Sequence, residues 1–276
     1  MSGPLGQGSS GLPPHVVSSE FGLGTTLNDI LVVENARKSF GQLRAVDEIS
    51  FAVRAGEIFG IAGPNGSGKS TLFNIMTAIP FSADGGTFTF DGRRIERLAA
   101  HRICQSGVAR TFQKETTFDS LSAYQNVLLG AVYGRGRGDA ARLAARAREA
   151  LGFVGIAEAQ HDRPGGELSV FDKKRLMIAS ALATEPRILL LDEPASGLTK
   201  PEVDETAALV RRVNQLGVTV LIIEHVLPLL LSLSERVMVL NQGRELTTGL
   251  PQDVMRDERV VEAYLGTRRA HGAAHP

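Results

Sequence analysis

The chain has 276 residues, of which 43% are hydrophobic, and its 30 Lys and Arg residues balance 30 Asp and Glu residues, so the formal net charge is zero. This length suits one large domain or two modest ones, and the neutral balance provides no global basic field for binding nucleic acid. The one cysteine, Cys104, excludes an intrachain disulfide framework and is typical of a reducing compartment.

The sequence contains no evident membrane span or secretion signal. Its longest apolar candidate, residues 218–233, is interrupted by Glu224 and His225 and falls short of the ~18 uncharged residues that a span needs. Residues 1–20 lack the basic start and the apolar run of a secretion signal, so we expect a cytoplasmic protein. Residues 1–28 are rich in Gly, Ser and Pro and predict a flexible N-terminal tail, and we expect a frayed tail again at residues 267–276.

The first part of the predicted domain, which covers residues 29–266, begins with an antiparallel β-sheet. Residues 31–33 and 49–53 are strand-like, and residues 85–90 predict a short edge strand that ends in an Asp-Gly turn. The aromatic residue Phe40 lies in this region and could stack on an adenine ring. Packing in the core or on the surface explains a lone Phe equally well.

Residues 63–71 form the most informative motif, which reads G-x-x-x-x-G-K-S followed by Thr. A strand-like run precedes the motif and an apolar helical face follows it, which is the context that a phosphate-binding loop requires. Glycines allow the backbone to form a concavity lined by N–H groups, and the helix N-terminus adds the positive end of its dipole. Lys69 would reach the β- and γ-phosphates of a nucleotide, and the Ser70 hydroxyl would bind Mg²⁺. The predicted nucleotide-binding residues are Gly63, Pro64, Asn65, Gly66, Ser67, Gly68, Lys69, Ser70 and Thr71.

Polar side chains follow three predicted strands at the point where each strand ends. Gln113 follows residues 108–112, Asp192 and Glu193 follow an apolar run, and His225 follows a second apolar run. Ligands of an open α/β sheet bind outside the carboxyl ends of its strands, so we expect these groups to face the phosphate loop. Asp192 would hold Mg²⁺, Glu193 would polarise an attacking water, and His225 would sense the γ-phosphate. Between these strands, residues 120–185 have helical periodicity, with an apolar stripe at positions 143, 147, 151 and 154.

In this order and spacing the elements resemble the nucleotide-binding domain of ATP-binding-cassette (ABC) proteins over residues 30–266. The resemblance implies an α/β fold of the P-loop NTPase class, with a RecA-like core sheet, an antiparallel β subdomain and a helical subdomain at about residues 114–185. It also implies ATP and Mg²⁺ as cofactors and assigns a role to each candidate residue. Lys69, Glu193 and His225 would be catalytic, Ser70, Gln113 and Asp192 would hold the metal, and Phe40, residues 63–71 and Gln113 would bind ATP.

Within that superfamily, residues 108–113, residues 223–225 and the ending Val-Glu-Ala-Tyr-Leu-Gly at 261–266 are similar to ATP-binding subunits of bacterial branched-chain amino-acid importers. Importers of urea, amides and aromatic acids share these features. The resemblance implies a second ABC ATPase subunit, identical or different, and membrane permease subunits as partners. It places the chain peripherally on the cytoplasmic face of the inner membrane.

One motif departs from the family pattern. The signature segment begins Leu-Ser and normally has glycine at its fourth position, where this chain has Phe171. In the family this segment begins a helix and presents Ser169 and backbone N–H groups to the γ-phosphate bound on the opposite subunit. Ser169 and Asp172 still predict a capped helix, but a phenyl ring at position 171 would obstruct the approach of phosphate to the backbone. We therefore expect the composite site that uses this signature to be impaired.

Two other functions are compatible with parts of this pattern. A nucleotide-binding partner subunit that hydrolyses ATP poorly would explain Phe171, whereas Glu193 and His225 argue against it. A soluble ABC ATPase that acts on nucleic acid or ribosomes is disfavoured by the neutral charge, the single cassette and the lack of a long coiled-coil insertion. The importer ATPase is the preferred interpretation.

Overall fold

The computed structural model describes residues 28–136 and 138–265. The predicted C-terminal tail and nearly all of the predicted N-terminal tail lie outside these residues. The strands are β1 (Asp29–Phe40), β2 (Leu43–Arg54), β3 (Ile58–Ala62), β4 (Gly85–Phe90), β5 (Arg93–Arg94), β6 (Val108–Arg110), β7 (Ile188–Asp192), β8 (Thr219–Ile223), β9 (Arg236–Asn241) and β10 (Arg244–Gly249). The helices are α1 (Lys69–Thr77), α2 (Ala100–Ser106), α3 (Ala123–Tyr133), α4 (Ala140–Val154), α5 (Val170–Ala183), α6 (Lys200–Gln215), α7 (Leu227–Leu233), α8 (Pro251–Val254) and α9 (Glu258–Leu265).

A six-stranded sheet in the order β10-β9-β3-β8-β7-β6 forms the centre of the molecule. Strands β9, β3, β8, β7 and β6 are parallel, and β10 joins antiparallel to β9. Every residue of β3, β7 and β8 is buried, as expected for parallel strands that are covered on both faces. Because β3, β8 and β7 are neighbours, their carboxyl ends lie side by side at one edge of the sheet.

A second, antiparallel sheet has the order β2-β1-β4-β5. The long pair β1 and β2 confirms the predicted antiparallel strands that precede the phosphate loop. The prediction that residues 85–90 form an edge strand is wrong, because the Asp-Gly turn at the end of β4 leads into the two-residue strand β5. β5 takes the edge, and β4 lies inside the sheet between β1 and β5.

Alternate residues of the parallel strands point to two separate cores. On one face, Leu189, Leu191 and Val220 pack with apolar residues of α3, α4, α5 and α6. On the other face, Leu190 and Leu221 pack with α1 and with the antiparallel sheet. The predicted helical stripe enters the first core, with positions 147, 151 and 154 buried and Leu143 packed beside them. Within the described ranges, no helix combines the length and the apolar character that crossing a membrane would require.

Candidate nucleotide site

An open groove with a volume of about 650 Å³ lies along the predicted phosphate loop. One wall is the loop itself, residues 65–71, and the other residues around the groove come from distant parts of the chain. They are Phe40, Leu43, Arg44, Ala45, Gln113, Glu193 and Gln242. The groove therefore brings together four of the elements that the sequence predicted to form one site: the phosphate loop, Phe40, Gln113 and Glu193.

The loop needs glycine at particular positions. Gly63, Gly66 and Gly68 have φ angles of 143°, 77° and 103°, which side chains other than glycine rarely adopt. Space is also restricted, because a Cβ atom on Gly63 would collide with the Leu240 carbonyl and one on Gly68 with the Ala45 carbonyl. Helix α1 begins directly after Gly68, so its free N–H groups and its dipole face the loop.

Lys69 lies at the base of the loop and is 6% exposed. Its Nζ atom donates hydrogen bonds to the carbonyl oxygens of Gly63, at 2.8 Å, and Pro64, at 3.0 Å. Burial lowers the pKa of Lys69, and the nearby carboxylates of Glu193 and Asp192 raise it. The ammonium group is thus held by loop carbonyls at the place where phosphate oxygens would enter.

Asp192 ends β7 and is 3% exposed. Its Oδ2 atom accepts a hydrogen bond from Arg110 Nη2 at 2.7 Å, whereas its Oδ1 atom is buried without a hydrogen-bond partner in the described part of the chain. Burial raises the pKa of Asp192, and the hydrogen bond from Arg110 lowers it. An unpartnered carboxylate oxygen and the exposed Ser70 hydroxyl at the start of α1 are the hard oxygen donors that Mg²⁺ prefers. These residues fit a magnesium site.

Glu193 is the meeting point of two other predicted site residues. Its Oε2 atom accepts a hydrogen bond from Gln113 Nε2 at 2.7 Å and lies 3.4 Å from His225 Nδ1. The backbone of Glu193 has a φ angle of 50°, and its N–H donates to the Ile223 carbonyl of the neighbouring strand. A residue other than glycine has a strained backbone in this left-handed region, and such strain is concentrated at functional sites.

Arg110 is a site residue whose role the sequence did not reveal. Its side chain is 5% exposed and lies between the rings of Phe73 and Phe112, with its guanidinium carbon 5.5 Å and 4.8 Å from their centroids. Its Nη1 atom donates to Asn74 Oδ1 at 2.8 Å and to Thr77 Oγ1 at 3.2 Å. Arg110, which precedes Gln113 by three residues, therefore connects α1 to Asp192. An arginine inside a predicted buried strand was the available signal.

Glu224, the residue before His225, is completely buried and also escaped prediction. Its Oε1 atom accepts a hydrogen bond from the Ala195 N–H at 2.7 Å, and its Oε2 atom accepts one from the Val226 N–H at 3.4 Å. Burial raises the pKa of Glu224 more than these hydrogen bonds lower it. The carboxylate thus ties the loop after Glu193 to the segment that carries His225.

The remaining predicted residues lie at two separate places. Phe40 is 46% exposed on the groove and meets Phe81 edge to face, with the ring centroids 5.0 Å apart. Ser169 lies outside the groove as the N-cap of α5, where its Oγ accepts from the Asp172 N–H at 3.0 Å and donates to the Asp172 carboxylate. Phe171 follows Ser169 by two residues. Its ring stacks with Arg175, one turn further along α5, whose guanidinium carbon is 4.3 Å from the ring centroid.

Comparison with known proteins places this chain in a family. Residues 46–196 match the family described as ABC transporter, and residues 244–270 match the family described as branched-chain amino acid ATP-binding cassette transporter. The high-affinity branched-chain amino acid transport ATP-binding protein BraF of Pseudomonas aeruginosa is 35% identical over 254 residues, covering 86% of this chain and 98% of BraF.

Solved structures give the same answer. The ADP conformation of an ATP-binding cassette of an ABC transporter matches with a TM-score of 0.78 and 31% identity, covering 86% of this chain and 99% of that chain. A dimeric cassette in a post-hydrolysis state, bound to ADP and Pi, matches with a TM-score of 0.72 and 25% identity, covering 80% of this chain and 98% of that one. The predicted fold class is confirmed. The chain belongs to the ABC transporter ATP-binding family, whose members are ATPases.

Proposed function

We propose that this chain is the ATP-binding and ATP-hydrolysing subunit of an ABC importer for branched-chain or related amino acids. The observation that carries the proposal is the arrangement of Gln113, Glu193 and His225 beside the phosphate loop, at the carboxyl ends of neighbouring strands. The class of solute comes from the resemblance to BraF and from the matching C-terminal family segment.

ATP would lie along the groove with its adenine on the exposed Phe40 ring and its phosphates in the loop. Backbone N–H groups of residues 66–71 would bind the phosphate oxygens, and Lys69 would exchange its two loop carbonyls for the β- and γ-phosphates. Ser70, Gln113 and Asp192 would hold Mg²⁺. When bound, the metal supplies positive charge to the phosphate oxygens.

Glu193 would orient and polarise the water that attacks the γ-phosphate in line with the leaving oxygen. Two neighbours control its carboxylate, because Gln113 donates to the same Oε2 atom that lies nearest His225. The His225 side chain is 49% exposed beside Glu193 and could donate to the γ-phosphate as negative charge develops on it. If the Gln113 side chain moved away from Glu193, the Glu193 carboxylate would be free to bind water. The Gln113 amide oxygen could then turn toward the metal.

Two protein partners belong to this proposal. A cavity of about 270 Å³ is lined by parts of α2, β6, α3 and α5 and by residues 116–118, just after Gln113. We propose that a permease subunit docks at this cavity and is sensed through Gln113, which would hold the chain peripherally on the cytoplasmic face of the inner membrane. A second ABC ATPase subunit would complete the nucleotide site, and one solved cassette that resembles this chain is a dimer bound to ADP and Pi.

Phe171 favours a second candidate function, in which this chain assists a partner and hydrolyses poorly itself. At position 171 the ring is stacked with Arg175, which also pairs with Asp172 at 3.3 Å and Glu205 at 3.3 Å. These contacts hold the ring beside the first turn of α5, where the family presents a glycine N–H to phosphate. In the preferred importer ATPase the same contacts have a narrower effect. We propose that the composite site using this signature is impaired there, while the phosphate loop of this chain still works with an intact signature on a different partner.

The proposal is tested by reconstitution. The chain is co-expressed with permease subunits and a second cassette of a branched-chain amino-acid importer from the same organism. Uptake of radiolabelled leucine, isoleucine and valine into proteoliposomes is measured with ATP on the side of the cassettes. We expect ATP-dependent uptake that stops with Glu193→Gln in this chain. ATP hydrolysis without uptake of these amino acids would refute the proposed class of solute, and failure of the chain to join the permeases would refute the transporter assignment.

A further inference from the structure

A tyrosine from the last described helix contacts the first residue of the phosphate loop. The N–H of Gly63 donates a hydrogen bond of 2.7 Å to the hydroxyl oxygen of Tyr264, across 201 residues of sequence. Gly63 is buried and is not among the residues that line the groove, and its N–H is directed at Tyr264 of α9. Burial raises the pKa of Tyr264 above its ordinary value.

Gly63 sets the path by which β3 enters the loop. Its φ angle of 143° and the Leu240 carbonyl beside it leave no room for a side chain. Both of its backbone polar groups are held, the N–H by Tyr264 and the carbonyl by Lys69. In the proposed nucleotide complex Lys69 turns to the phosphates, and Tyr264 then provides the remaining polar contact that fixes Gly63.

The same hydrogen bond joins α9 to the body of the protein. Val260 is buried at 2% exposure, whereas Val261 is exposed, so the helix covers the body of the protein with a narrow apolar face. Arg259 pairs with Asp257 at 2.6 Å, an interaction within the same short segment. Breaking the contact between Tyr264 and Gly63 would therefore loosen the helix as well as the loop.

We infer that Tyr264 is a positioning residue for the phosphate loop, through which ATP binding and the docking of α9 stabilise each other. The inference rests on the proposed function, because it needs the nucleotide to occupy this loop. Without the hydroxyl, the buried Gly63 N–H loses its partner, and an unpaired buried N–H is unfavourable. Coupling of this kind is reciprocal, so ATP must protect α9 to the same degree that α9 favours ATP.

The test compares Tyr264→Phe with Tyr133→Phe in the full chain. Both variants remove one hydroxyl group, but Tyr133 is 70% exposed at the end of α3 and does not line the groove. Affinity for ATP with Mg²⁺ is measured by titration calorimetry. Hydrogen–deuterium exchange of peptides that cover β3 with the loop, and α9, is measured with and without ATP.

We expect Tyr264→Phe to weaken ATP binding roughly 5-fold, to speed exchange around Gly63, and to abolish the protection of α9 by ATP. Tyr133→Phe should match the wild type in all three. If the wild type binds ATP and Tyr264→Phe equals Tyr133→Phe in affinity and in exchange, the inference is wrong. If the wild type binds no ATP, the proposed function itself fails and the inference falls with it, so the two failures are distinguishable.

Discussion

Replacing Arg110 by methionine should strongly destabilise the protein, because it would remove the hydrogen-bonded counterion of the buried Asp192 carboxylate. Both side chains are at most 5% exposed, and the Asp192 carboxylate already has one oxygen without a hydrogen-bond partner in the described ranges. Removing one partner of a buried ion pair typically lowers the free energy of unfolding by about 3–5 kcal/mol. The methionine side chain would fill the space between Phe73 and Phe112, so lost packing should contribute little.

The assay is urea unfolding followed by circular dichroism, with Asp192→Asn and the double variant as controls. The double variant removes both charges and keeps the shape of the acid, so we expect it to recover most of the stability that Arg110→Met loses. The coupling energy between the two sites should exceed about 1.5 kcal/mol. The role of Arg110 as the counterion of Asp192 would be refuted if Arg110→Met lowered the free energy of unfolding by less than about 1 kcal/mol. It would also be refuted if the two single substitutions had additive effects on that free energy in the double variant.

Two further predictions concern Phe171 in the signature segment and Glu224, the buried residue before His225. Phe171→Gly should raise ATP hydrolysis by the reconstituted complex, because phosphate could then approach the first turn of α5, and no gain in rate would contradict the proposed impairment. Glu224→Gln should change how stability depends on pH: the pKa of Glu224 is raised by burial, so the folded state binds this proton more tightly than the unfolded chain. The wild type should therefore gain stability relative to Glu224→Gln as the pH falls from 7, and the gain should level off below 4.5, the ordinary pKa of a glutamate. A stability difference that stays constant between about pH 4 and 7 would contradict this prediction.

The parts of the fold that could be predicted are those encoded locally. Residues 188–192 and 219–223 are continuous apolar runs, and full burial of parallel strands explains them. The start of α6 is also encoded locally, because proline in its first turn and a capping box at Thr199 mark it. The phosphate loop could be located because its glycines meet backbone requirements that are local to the motif.

The contacts that could not be predicted depend on residues far apart in the sequence. Arg110 meets Asp192 across 82 residues and Gly63 meets Tyr264 across 201. Burial of an arginine or a glutamate is recognisable only when its partner is known, since charged residues are usually exposed. Glu224 illustrates this limit, because in the sequence it is only an interruption of an apolar run. The two-residue strand β5 was missed because so short a segment carries no periodicity.

The proposed asymmetry of the ATP sites gives the partner of this chain particular importance. Ser169 keeps its capping role in α5, so Phe171 alters the surface that faces phosphate without removing the helix start. A different cassette with glycine in its signature would restore a working site over this chain's phosphate loop. Two copies of this chain would instead place Phe171 at both sites, and such a dimer should hydrolyse ATP slowly.

The most direct test of the whole account is the rate of ATP hydrolysis by the reconstituted complex when only Glu193 of this chain is changed to Gln. Glutamine keeps the shape of the side chain and its contact with Gln113 but cannot act as a carboxylate toward water. We expect the rate of hydrolysis to fall at least ~100-fold, on the order of the contribution of a general base, while ATP binding to this chain persists. An unchanged rate would contradict the account, because it would show that hydrolysis takes place elsewhere in the complex and that this chain only binds nucleotide.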